Sequence, residues 1–212
     1  MQSVMIIKNV KVFTEDKTFE PGAIGIENGI FKNNLFDSGE IIDGEGCYAI
    51  PGLIDVHFHG CMGYDFCDGT KEAIEKIAEY EASQGVTTIV PATMTLSEEE
   101  LMKIMANGGT YENKEGAAVL AGINMEGPFI CSKKKGAQAA THIHKPDVAM
   151  FRRLQEAANG LIRLVDIAPE VEGAMEFISE LKDEVHISFA HTTADYDTAK
   201  TGYALGRSEE RR

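Results

Sequence analysis

Long apolar runs are missing from this sequence: no stretch of about 18 or more apolar residues occurs, which excludes a membrane-spanning helix. Proline is sparse, at 6 in 212 residues, and 43% of the chain is hydrophobic, which excludes a collagen-like or disordered chain. Positive charge is in deficit. Twenty Lys and Arg against 34 Asp and Glu leave a formal charge of −14, which argues against nucleic acid or an anionic membrane as partner. An anionic small substrate stays open, because a local cationic patch decides that; Lys133, Lys134 and Lys135 form either such a patch or a solvated basic loop. The N-terminus lacks the basic start, apolar stretch and cleavage site of a secretory signal, so the expected location is the cytoplasm. Cys47, Cys61, Cys67 and Cys131 match no zinc-knuckle or redox spacing and are expected to be structural thiols. Cys61 and Cys67 flank a candidate active-site loop, which leaves a ligand role open.

The chain changes rhythm near residue 50. Up to there, short strands alternate with turns: Val4–Val12, Ala23–Ile30 with a hairpin signal at Asn28-Gly29, and Glu40–Ile42. Residues 1–50 are expected to form part of a small β domain, a β-sandwich segment. From residue 48, strand-length apolar runs alternate with helical periods. Strands are expected at Ala49–Phe58, Val86–Ala92, Ala117–Met125, Leu161–Ala168 and Val185–Ala190. Helices are expected at Lys71–Gln84, from Ser97, and at Lys145–Ala158, Val171–Leu181 and Asp195–Leu205. Five strand–helix units point to a parallel sheet, either an open doubly wound sheet or a (β/α)8 barrel. The Gly-rich phosphate loop that would favour the first is missing; after the first strand stands His57-Phe58-His59-Gly60. The expected fold is therefore α/β, a partial (β/α)8 TIM barrel over residues 51–206, with about five of eight units.

Functional side chains of barrels sit at the C-terminal ends of strands. His57 and His59 end the first strand with the period of two that puts both on one side. Glu126 ends the third, just before Gly127-Pro128, and His191 ends the fifth. Singly, each has a structural explanation: a chance pair, a cap, a packed histidine. Jointly, three imidazoles and a carboxylate converge on one barrel mouth, a set that suits Zn²⁺ and also accommodates Fe²⁺ or Mn²⁺. Such an ion activates water and polarises a carbonyl, so hydrolysis of an amide-like bond is the expected reaction class. No general base stands out; Asp166 and Asp195 read as structural. His142 and His144 fall in a loop, and His186 at the wrong end of its strand.

These motifs resemble the amidohydrolase superfamily and, within it, the N-acetylglucosamine-6-phosphate deacetylase family. The resemblance rests on Pro51-Gly52-Leu53-Ile54-Asp55-Val56-His57-Phe58-His59-Gly60, Gly85-Val86-Thr87-Thr88, Glu126-Gly127-Pro128-Phe129 with Lys134-Lys135-Gly136-Ala137, Ala168-Pro169-Glu170 and His191-Thr192-Thr193-Ala194. It implies metal-dependent hydrolysis of the acetamido group of N-acetylglucosamine 6-phosphate, with Glu126 and His191 on the catalytic metal and His57 and His59 on a second ion in two-metal members. It also implies a substrate contact near Gln138. The family continues past the matched region with a further histidine ligand and an aspartate base, so the chain is expected to stop before the site is complete, with 207–212 an unmatched charged tail. A cyclic amidase and an inactive metal-binding fragment are the alternatives. Self-association through the open barrel edge is the expected partner interaction, beside the phosphosugar.

Overall fold

The computed structural model describes residues 4–32 and 36–206, so the expected tail at 207–212 lies outside the described residues. The chain divides into two units, Met1–Gly52 and Leu53–Arg212.

The first unit is a five-stranded sheet. Strands β1 (Val4–Phe13), β2 (Phe19–Glu27), β3 (Ile30–Lys32) and β4 (Glu40–Asp43) run in the order β3-β2-β1-β4, and β5 (Tyr48–Ala49) also pairs with β1. Asn28 and Gly29 take φ of 52° and 77°, the doubly positive conformation of a two-residue hairpin, and join β2 to β3 as expected. Ile6 and Val10 are buried, whereas Phe13, Phe19, Ile30, Phe31, Tyr48 and Ile50 are exposed.

The second unit opens with β6 (Leu53–Asp55), the β7–β8 hairpin (Gly60–Cys61, Tyr64–Asp65) and α1 (Lys71–Ser83). It continues through β9 (Val86–Ile89), α2 (Glu98–Gly109), β10 (Val119–Leu120), β11 (Ile123–Glu126) and α3 (Val148–Ala157). It closes with β12 (Ile162–Ile167), α4 (Ala174–Leu181), β13 (His186–Phe189) and α5 (Tyr196–Gly206). All pairings among β6, β9, β10, β11, β12 and β13 are parallel. A parallel bridge between Ala92 and Asn124 joins the two three-stranded sheets. Neighbours follow chain order from β6 to β13. A doubly wound sheet would reverse order at a switch point, so the architecture is a partial (β/α)8 barrel that does not close. One core fills it, with Ile74, Ile77, Leu101, Met105, Ile123, Phe151, Phe177 and Ile187 among its members. No helix among the described residues is long and apolar enough to cross a membrane.

Local chemistry sets the element ends. The Ser97 hydroxyl accepts from Glu100 N–H at 3.3 Å while the Glu100 carboxylate takes Ser97 N–H at 3.1 Å, a reciprocal cap that starts α2 where expected. The strand expected at Ala49–Phe58 is only β6 (Leu53–Asp55), because Pro51 has no N–H to give a ladder and Ala49 belongs to β5 beside β1. Other expected bounds also move. α3 starts at Val148 because Asp147, after Pro146, takes the cap and accepts from Met150 N–H. α4 starts at Ala174 because Gly173, at φ 91°, is not helical. The expected strand Ala117–Met125 is two strands: Ala121 N–H bonds Ile89 C=O, Ile123 N–H bonds Leu161 C=O and Asn124 N–H bonds Pro91 C=O, so β11 lies between the extension of β9 and β12.

Candidate metal centre

Three strand ends deliver the site. Beyond the formal end of β6, Val90 N–H bonds Asp55 C=O at 2.8 Å and Ala92 N–H bonds Phe58 C=O at 2.7 Å, so His57 and His59 stay extended alongside the strand-β9 segment. Their rings lie 5.5 Å apart. Glu126 ends β11 and is 6% exposed. His191 follows β13 at φ 48°, a left-handed conformation that is uncommon for a residue with a side chain.

Glu126 is the hub. Its Oε1 lies 2.6 Å from His191 Nε2, and its Oε2 lies 3.0 Å from His59 Nε2 and 3.8 Å from His57 Nε2. Oε2 is buried and faces the Nε2 atoms of both His59 and His57. Two imidazoles are oriented from behind. His59 Nδ1 faces Ala92 C=O at 3.2 Å and His191 Nδ1 faces Lys134 C=O at 2.8 Å, which turns both Nε2 atoms toward Glu126. Histidines that bind metals are held this way, by a carbonyl on the other ring nitrogen. Asn124 Nδ2 lies 2.8 Å from His57 Nδ1.

The electrostatics agree with the geometry. Burial alone would raise the Glu126 pKa, but hydrogen bonds from His59 and His191 and the nearby His57 outweigh it and hold the carboxyl at about 2. The Glu126 hydrogen bond raises the His59 pKa above its usual value against the effect of burial. Burial pulls His191 down, and its bonds to Glu126 and the Lys134 carbonyl more than compensate, leaving it raised. A buried anion facing imidazole nitrogens is a cation site in its chemistry. The ligand atoms of His57, His59 and Glu126 all lie within 4.8 Å of one another. A cleft of about 530 Å³ opens on this cluster, lined by Ile54, Val56, His57, Glu126, Asp166 and His191.

The structure thus brings together His57, His59, Glu126 and His191. Gln138 stands apart: it is buried, with Oε1 accepting from Thr95 N–H at 2.6 Å and Nε2 3.7 Å from the Met94 sulfur. Asp195 caps α5 by accepting from Thr198 N–H. Cys67 Sγ accepts from Met94 N–H, and burial above all pushes its thiol up to about 12. Sequence reasoning missed two residues. Asn124, against His57, is an amide inside an apolar run, which carries no periodic signal. Asp166 lines the cleft because it stands in register with Glu126 across the β11–β12 pair, a pairing that the strand alignment alone would have suggested.

No protein-family model matches the chain. It is 31% identical to the N-acetylglucosamine-6-phosphate deacetylase of Bacillus subtilis over 217 residues, covering 95% of this chain and 55% of that protein. Among solved structures, it superposes on a mutant N-acetyl-D-glucosamine-6-phosphate deacetylase of Mycobacterium smegmatis in complex with N-acetyl-D-glucosamine-6-phosphate. That match has a TM-score of 0.83 at 25% identity and covers 97% of this chain and 54% of that one. The Pasteurella multocida N-acetylglucosamine-6-phosphate deacetylase, at 22% identity and a TM-score of 0.85 over 96% of this chain and 55% of that one, shares the fold. The chain spans about half the length of the relatives it matches.

Proposed function

Because the chain belongs with the N-acetylglucosamine-6-phosphate deacetylases across 95% of its length, we propose that it carries the metal-binding part of a metal-dependent deacetylase of N-acetylglucosamine 6-phosphate. The observation that carries this is the buried Glu126 carboxylate, faced by Nε2 of His59, His191 and His57. Glu126 and His191 would hold the catalytic ion, and His57 and His59 would complete the set or hold a second ion. Three imidazoles and one carboxylate suit Zn²⁺, with Fe²⁺ or Mn²⁺ also accommodated. Such an ion polarises the acetamido carbonyl and acidifies a water molecule.

The chain's own residues do the positioning. The carbonyls of Ala92 and Lys134 keep the proton of each neutral ring on Nδ1, so the Nε2 lone pairs of His59 and His191 would be available to hold the ion. Asn124 can do the same for His57 if its amide turns so that the oxygen accepts from Nδ1–H. Lys133 and Lys134, exposed on the loop whose backbone holds His191, place positive charge near the cleft for an anionic sugar. Gln138, through Thr95, braces the same loop; a direct substrate contact belongs to this proposal as its finer part. No general base is assigned among these residues, so the chain alone is expected to hold metal without turnover. Leu53, Ile54 and Val56 are exposed along β6, which favours self-association there, readable by light scattering. The soluble chemistry of the substrate fits a cytoplasmic setting.

The test is acetate release from N-acetylglucosamine 6-phosphate by the metal-loaded chain. Turnover abolished by Glu126→Gln would support the deacetylase and overturn only the missing base. Turnover that survives Glu126→Gln would overturn the assigned site. Hydrolysis of cyclic amides by the loaded chain would favour the cyclic-amidase alternative.

A further inference from the structure

His191 holds a left-handed backbone at φ 48°, a conformation that is unfavourable for a residue with a side chain. Something must hold it there. On one side, its carbonyl accepts from Cys131 N–H at 3.0 Å and its Nδ1 faces Lys134 C=O at 2.8 Å. On the other side stands Glu170, in the turn that follows β12. Its Oε1 accepts from Thr193 N–H at 2.5 Å and from the Thr193 hydroxyl at 2.9 Å, and its Oε2 accepts from the Thr192 hydroxyl. The Thr192 oxygen in turn accepts from Ala194 N–H at 2.9 Å.

We infer that Glu170 is the positioning residue of this metal centre, acting through His191. The inference rests on the ligand role proposed above for His191. Apart from its own backbone N–H, the donors to the Glu170 carboxylate belong to the two residues that follow His191, and none is a cation. The arrangement therefore fixes a backbone turn instead of pairing charge. The same turn is tied to the other ligand: Ala168 N–H bonds Phe129 C=O at 3.0 Å, three residues after Glu126. Glu170 thereby references the His191 imidazole to the Glu126 carboxylate. A carboxylate is needed because it offers acceptors on both oxygens. A glutamine keeps one acceptor for Thr193 N–H but turns an NH₂ toward the Thr192 hydroxyl.

The experiment measures the Zn²⁺ dissociation constant of the chain by competition with a chromogenic chelator, with the thermal midpoint of the metal-free chain in parallel. Glu170→Ala is expected to weaken Zn²⁺ binding about 10- to 100-fold, the usual effect of removing a partner behind a ligand. Glu170→Gln is expected to fall between it and wild type, and it keeps a reading if the alanine variant does not fold. The decisive variant is Glu170→Ala combined with His191→Ala. A residue that acts through His191 adds nothing once that imidazole is gone, whereas a merely structural residue adds its full loss. Wild-type affinity in Glu170→Ala, or full additivity in the double variant, overturns the inference while leaving the ligand role of His191 intact. Unchanged affinity in His191→Ala overturns both.

Discussion

Gly127, the residue after Glu126, is where a single methyl group should do most damage to this site. Its φ is 80°, and a Cβ built there would fall 2.1 Å from Thr95 Oγ1 and 3.2 Å from Thr95 Cβ. Two costs follow for Gly127→Ala. The left-handed backbone costs alanine about 1–2 kcal/mol. The overlap forces buried Thr95 or the end of β11 to move, which in a packed interior costs about 1–3 kcal/mol. Together they predict a loss of about 2–5 kcal/mol, or a midpoint lower by about 4–20 °C for a chain of this size. The two costs separate in a Thr95→Ala background. Removing Oγ1, which has no hydrogen-bond partner among the described residues, deletes the closest contact and leaves the backbone cost. Gly127→Ala should then cost about 1–3 kcal/mol less than in the wild-type chain. The assay is thermal or urea unfolding of the four proteins. Equal losses in both backgrounds would refute the contact with Thr95 as the reason for glycine, and an unchanged midpoint would refute the backbone argument as well.

Other outcomes follow from the packing and the charges. Phe177 is fully buried, 5.1 Å from the Phe129 ring and 5.9 Å from the Phe151 ring, so Phe177→Ala should cost about 3–5 kcal/mol in urea unfolding. A cost below about 1 kcal/mol would mean that the core collapses around the gap. Burial raises the Glu170 pKa, but the Thr192 and Thr193 donors outweigh it and leave the carboxyl below its usual value. A carboxyl lowered in the folded state contributes stability above its unfolded pKa of about 4.3 and loses it as pH falls through the folded value. The midpoint gap between wild type and Glu170→Gln should therefore be full at pH 6 and shrink below about pH 4. A gap that widens in acid contradicts the sign of that shift.

Much of this architecture was legible because parallel strands buried on both faces write themselves as apolar runs, and helices as stripes. Val86 to Ala92 and Leu161 to Ala168 gave their strands within a few residues, and Ser97 with Glu100 gave the start of α2. What was not legible depends on partners far away in the chain. Nothing local says that the strand breaks between Leu120 and Ile123, or that β11 bonds Pro91 on one side and β12 on the other. The short hairpin at Gly60 to Asp65 is held by backbone bonds that leave no side-chain pattern. In the site, the alternation of His57 and His59 and the strand-end positions of Glu126 and His191 were readable, since barrel geometry converts strand ends into neighbours. Asn124 and Glu170 were not, because each works on a residue 67 or 22 positions distant.

The most direct test of the central claim is the metal content of the chain. Equilibrium dialysis against Zn²⁺ followed by elemental analysis should find at least one ion bound tightly per wild-type chain, and little in Glu126→Gln, where a neutral amide replaces the anion between His59 and His191. Equal Zn²⁺ in both proteins, or none in either, would contradict the assignment of this cluster as the metal centre.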